Sequence, residues 1–112
     1  MKERTKQFGL RIIRLVDSLP KTKTAATIGG QLLRSGTSIG ANYRAACRGR
    51  SKAEFIAKLG IVEEEADESA FWLEMLIEAN VIKPDLVSEL LVEANELTAI
   101  MATSRKTAKK NG

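Results

Sequence analysis

The sequence predicts an all-α protein, an up-down-up-down antiparallel four-helix bundle, on three observations. Apolar residues recur at three- and four-residue spacing in four successive segments, and the strict alternation of a half-buried strand is nowhere sustained. The segments are separated by short breaks at Pro20, Gly49 and Pro84. Connections this short favour consecutive helices lying side by side in opposite directions.

The first helix is expected over 5–19. Phe8, Ile12, Leu15, Val16 and Leu19 share one side, and Lys6, Arg11, Arg14 and Asp17 lie opposite. Pro20 stops it, and Thr24 in the polar segment that follows suits the N-cap of a second helix over 25–48. There Ile28, Leu32, Ile39, Tyr43 and Ala46 form the core line, but Gly29, Gly30, Gly36 and Gly40 interrupt it. Each glycine costs about 1 kcal/mol of helix propensity relative to alanine. Either the chain kinks or loops near Gly36, or small residues at Gly29, Gly36 and Gly40 let a neighbouring helix come close. The second reading, a continuous helix, is the one expected.

Ser51 and Glu54 make a capping box that opens a third helix over 51–81. Phe55, Leu59, Val62, Ala66, Leu73 and Ile77 form its main apolar line, while Ile61, Trp72, Met75 and Ile82 lie off that line as a second face. A helix apolar on two sides has more than one neighbour to satisfy. Pro84 and Asp85 suit the first turn of a fourth helix over 84–106, with Val87, Leu90, Leu91, Ala94, Leu97 and Met101 as its stripe. The tail 105–112 lacks apolar periodicity and is expected to fray. The expected core is Leu15, Leu32, Ile39, Phe55, Leu59, Val62, Leu73, Leu90 and Leu97.

A chain of 112 residues with 44% hydrophobic and 29% charged residues has the size and balance of one folded domain over 1–112. It has no apolar run of membrane-spanning length and no signal-peptide pattern at its start, so no membrane partner and a cytoplasmic location are expected. The single Cys47 closes no intrachain disulfide and is expected as a small buried or interface residue. The absence of histidine removes Ser-His-Asp and Cys-His catalysis and His-ligated zinc. No catalytic residue, metal ligand set or cofactor is expected.

The net charge of +4 conceals two opposed halves. Residues 1–53 carry twelve Lys or Arg against Glu3 and Asp17, and residues 54–104 carry Lys58 and Lys83 against twelve carboxylates. Arg34, Arg44, Arg48, Arg50 and Lys52 gather around the second helix and the turn after it as candidate phosphate contacts. The competing reading pairs them with the acidic third helix. Glu64, Glu65 and Glu68 in turn have an E-E-x-x-E spacing suited to sharing magnesium. That spacing is similar to the first half of the metal site in pyrophosphohydrolases of the MazG type, but the second half is represented here only by Glu93 and Glu96.

The stretch from about Gln31 to Ala79 carries an ordered set: Arg34-Ser35, Ser38, Asn42, Ser51, Phe55, Lys58-Leu59, Glu65-Ala66, Glu68 and Trp72-Leu73. In this set the chain resembles the 23S rRNA intervening-sequence proteins, to which the accessory variability proteins of diversity-generating retroelements are related. Many of those relatives place Glu where Ala45 stands here. The resemblance implies a homopentamer of antiparallel bundles without catalytic activity. It also implies possible partners, RNA or DNA and a reverse transcriptase, bound through basic surfaces. On this basis the expected function is a non-catalytic oligomeric scaffold binding structured RNA or DNA, with Gly36, Gly40, Trp72 and Met75 at the contacts between subunits. The alternatives are a protein-protein adaptor without nucleic-acid binding, and a magnesium-dependent nucleotide pyrophosphohydrolase using Glu64, Glu65 and Glu68.

Overall fold

The structure, a computed structural model, describes residues 1–111 and contains, among them, four α-helices and no strand. They are α1 (Lys2–Asp17), α2 (Lys23–Cys47), α3 (Lys52–Glu78) and α4 (Ser88–Lys110). A 3-10 turn at Pro84–Leu86 precedes α4. The expected fourth helix therefore begins four residues late, because Val87 is driven into the core and the chain must turn before the helix can start. The same helix runs on to Lys110, so the tail expected to fray from 105 is helical through that residue; residue 112 lies outside the described residues.

The ends of the helices show their local causes. Thr22, not Thr24, caps α2 by accepting a hydrogen bond from the Ala25 amide at 3.1 Å. Ser51 caps α3 through the Glu54 amide at 3.1 Å, while the Glu54 carboxylate accepts from the Arg50 amide, one residue before the position an ideal capping box would use. At the other end of α3, Asn80 adopts φ 56°, and the amides of Asn80 and Val81 bond back to Ile77 and Leu76. This Schellman turn satisfies carbonyls that the helix end would otherwise leave open.

α2 is continuous through its glycines, and the reason is α1. Gly36 faces Ile12 so closely that an added Cβ would lie 2.9 Å from the Ile12 side chain, and at Gly40 it would lie 3.4 Å from the Thr5 backbone. Residue numbers descend along α1 as they rise along α2, so the two helices run in opposite directions. α2 and α3 are related in the same way, with Ser35 against Ser69 and Ser38 against Glu65. So are α3 and α4, with Arg105 reaching Glu63 beside Gly60. α1 and α4 touch sparsely. There Arg4 clamps Glu93 through two hydrogen bonds of 2.7 and 2.6 Å and reaches Glu96 at 3.0 Å.

Eight of the nine expected core residues are buried, from Leu15 on α1 to Leu97 on α4. Phe55 is the exception: it sits one turn into α3, at the end of the bundle, and is half-buried against the core. The core also takes in Phe8, Ile12, Leu76 and Met101. Replacing Leu59 by Ala should destabilise the fold by about 2–5 kcal/mol in urea unfolding, since its side chain is fully enclosed.

The two glycines of α2 should separate helix propensity from close packing. At Gly30 an added Cβ meets nothing within 4 Å, so Gly30→Ala should stabilise by about 0.5–1 kcal/mol. Gly36→Ala should destabilise by about 1–3 kcal/mol, because buried Ile12 must move. Equal effects in the same unfolding series would contradict the packing account.

The Arg4 clamp has a pH signature. Its hydrogen bonds hold the Glu93 carboxyl below the usual carboxylate range, against the opposing effect of burial. A depressed carboxylate contributes stability that is present above its unfolded pKa, about 4.3, and is lost as pH falls through the folded value. The thermal midpoint should therefore hold from neutral pH down to the ordinary carboxylate range and drop below it. In Glu93→Gln that acid-side drop should be shallower.

Candidate nucleic-acid interface

Between α2 and α3 runs a seam of polar side chains placed by helical spacing on both partners. Ser69 donates to the Ser35 hydroxyl at 3.0 Å, both fully buried, and Ser38 donates to Glu65 at 2.8 Å. Arg34 donates to Glu65 at 3.2 Å and also to Glu68, which accepts from the Trp72 indole at 3.1 Å. The indole N–H first, then Arg34, holds the Glu68 carboxyl below its ordinary range. The guanidinium of Arg34 is raised correspondingly, mainly by Glu68.

Arg34, expected among the phosphate contacts, is the α2 half of an interhelical ion pair, its donors directed at two carboxylates. The E-E-x-x-E spacing likewise serves the pair: Glu65 and Glu68 turn toward Arg34, while Glu64 lies a residue further round the helix and is exposed. Among the described residues, no three Cys, Asp or Glu side chains gather as a metal-binding group.

The other four basic candidates stand differently. Arg44, Arg48, Arg50 and Lys52 are all exposed. The ion pairs of the described residues use Arg4, Arg11, Arg34 and Arg105 and none of these four. They lie on the last turns of α2, in the capped turn, and at the first position of α3. The antiparallel registers bring the start of α1 and the end of α4 toward this same end of the bundle. The segments 1–6, 44–58 and 102–111 hold twelve Lys or Arg against Glu3 and Glu54. Sequence order does not single out Lys106, Lys109 and Lys110 of this group, because a tail without apolar periodicity is expected to fray.

The four residues expected between subunits divide. Gly36 is buried against Ile12 of its own chain, so its close approach is spent inside the protomer. Gly40 packs over the Thr5 and Lys6 backbone and is half-buried, lining an open groove between α1 and α2 with Gly9, Leu10, Ile13 and Arg44. Met75 is 37% exposed on the outer face of α3, with Ile61 and Phe71 at 38% and 49%. Trp72 is half-buried, its ring edge-on to Phe71 with centroids 4.9 Å apart. Phe71 is not singled out in the sequence reading, although it stands four residues before Met75 and so lies on the side of the expected second apolar face. Cys47 is exposed beside Tyr43, whose hydroxyl is pushed up by burial and then by the thiol.

Among the described residues, no helix is long and apolar enough to cross a membrane. No curated protein matches the chain. A solved crystal structure does: a protein of unknown function from the S23 ribosomal protein family of Bacteroides thetaiotaomicron, 35% identical, with a TM-score of 0.87. The likeness covers 94% of this chain and 97% of that one. The profile described as 23S rRNA-intervening sequence protein matches residues 1–103. On this match over nearly its whole length, the chain belongs to the 23S rRNA-intervening sequence protein family.

Proposed function

We propose that this protein is a non-catalytic scaffold, an up-down-up-down bundle assembled into a homopentamer, which binds structured RNA or DNA by its phosphates. The observation that carries the reading is the set of four exposed cations at one end of the bundle, Arg44, Arg48, Arg50 and Lys52, whose side chains enter no ion pair among the described residues. Arginine and lysine placed this way neutralise phosphates and displace counterions, with little dependence on base sequence. In a closed ring the cluster is repeated around the symmetry axis, multiplying its field. The exposed Ile61, Phe71 and Met75 on α3 support assembly, since a helix face with three large apolar side chains in water gains by being covered.

Binding measured by fluorescence anisotropy should weaken linearly on a log–log scale with salt, by about 0.9 per duplex phosphate contacted. Arg48→Ala with Arg50→Ala should flatten that slope by about 1.8, while Arg34→Ala should leave the slope unchanged and lower stability. No binding to rRNA fragments or duplex DNA at about 50 mM salt, where such contacts are strongest, would make a protein-protein adaptor the better reading. For assembly, light scattering should give a multiple of the 12.3 kDa chain, and Met75→Glu should lower that mass before it unfolds the bundle. A monomer mass at micromolar concentration would remove the oligomer from the proposal.

A further inference from the structure

The basic end of the bundle has a second row of cations, on a different helix from the first. Arg105 is fixed against α3 by its 2.8 Å contact with Glu63 and by lying alongside Gly60. Beyond that anchor α4 continues for five residues as helix, toward the start of α3. At a rise of about 1.5 Å per residue, Lys110 lies about 7.5 Å past the anchor, about one to two turns from the level of Lys52. Lys106, Lys109 and Lys110 have three- and four-residue spacing, so the helix gathers them on one face. All three are exposed, and the ion pairs of the described residues include none of them. Like charges at this spacing oppose the helix, so an anion on that face would stabilise it.

α2 and α4 each pack on α3 and also on α1, so they stand at diagonal corners of the bundle with α3 between the two rows. With neighbouring helices about 8–10 Å apart, the axes at diagonal corners that carry the rows stand about 11–14 Å from one another. A single backbone needs only one row; two rows at this separation match the two phosphate rims of a groove about 12 Å wide. The aromatics near this end, Tyr43 and Phe55, are half-buried, so bases have no exposed ring to stack on. The exposed Phe71 lies on the outer face of α3 among carboxylates.

Resting on the nucleic-acid reading above, we propose that this end grips double-stranded nucleic acid across a groove, the α2–α3 turn on one backbone and Lys106, Lys109 and Lys110 on the other. The ligand is a duplex rather than a single strand. The probes are labelled duplexes of DNA and of RNA, each about two helical turns long, with their separated strands, titrated by anisotropy from about 50 to 200 mM salt. Wild-type protein should bind at least one duplex about tenfold or more tighter than its strands. The triple change Lys106→Gln, Lys109→Gln, Lys110→Gln should reduce the duplex salt slope by about 2–3 units and leave single-strand binding nearly unchanged. A control triple at the opposite end, Lys21→Gln, Lys23→Gln, Lys83→Gln, should leave the duplex slope as it was, and circular dichroism should show both triples equally helical. Duplex binding with an unchanged slope in the first triple overturns the second row while leaving the scaffold reading standing. Equal losses for duplex and single strands, or tighter binding of single strands, overturn the two-backbone grip. Absence of any wild-type binding overturns both readings.

Discussion

The seam between α2 and α3 is the constraint on which the rest depends. Two hydroxyls, Ser35 and Ser69, are fully buried at its centre, and an unsatisfied buried hydroxyl costs about 1–3 kcal/mol. Each also bonds back to its own helix, Ser35 to the Leu32 carbonyl at 3.4 Å and Ser69 to the Glu65 carbonyl at 2.9 Å, but the two hydroxyls meet at 3.0 Å only in the register that also brings Ser38 to Glu65 and Arg34 to both carboxylates. Sliding one helix along the other by a turn would break every one of these interhelical contacts at once. Apolar contacts are more forgiving of such a shift, so the polar seam specifies the alignment that the hydrophobic core then stabilises.

α2 serves as the hub because its two flanks are built differently. The flank toward α3 carries serines and Arg34, and the flank toward α1 carries glycines. The helix-propensity cost of those glycines is offset by the approach they allow: Ile12 and Phe8 are enclosed, and the Thr5 backbone comes against Gly40. α1 and α4 meet weakly by comparison and depend on the Arg4 clamp. The bundle is thus held most firmly along α2 and α3 and least firmly where its first and last helices meet.

The seam also decides the electrostatics of the surface. Arg34 neutralises Glu65 and Glu68 within the chain, and Arg105 does the same for Glu63. Glu63, Glu65 and Glu68 are thereby consumed along the middle of the bundle, and at the α2–α3 turn the Glu54 carboxylate accepts from the Arg50 amide, while the side chains of Arg44, Arg48, Arg50 and Lys52 enter none of the ion pairs of the described residues. Charges that nearly cancel in the net total are separated in space, and one end keeps a concentrated positive field.

Helix number, most of the core and the continuity of α2 were legible in the sequence, because apolar periodicity and capping chemistry act over a few residues. Ser51 and the Leu59 to Leu73 line could be read without knowing any partner. The basic residues were legible as a group but not in their roles, since one-dimensional order does not say which carboxylate a guanidinium will meet. Tertiary structure alone placed Arg34 in an ion pair, turned Gly36 inward against Ile12, and left Phe71 in water. It also carried α4 far enough along α3 to bring Lys106, Lys109 and Lys110 to the basic end. The physical reason is range: propensity and periodicity are local, whereas pairing and exposure depend on which helices pack together and in what register.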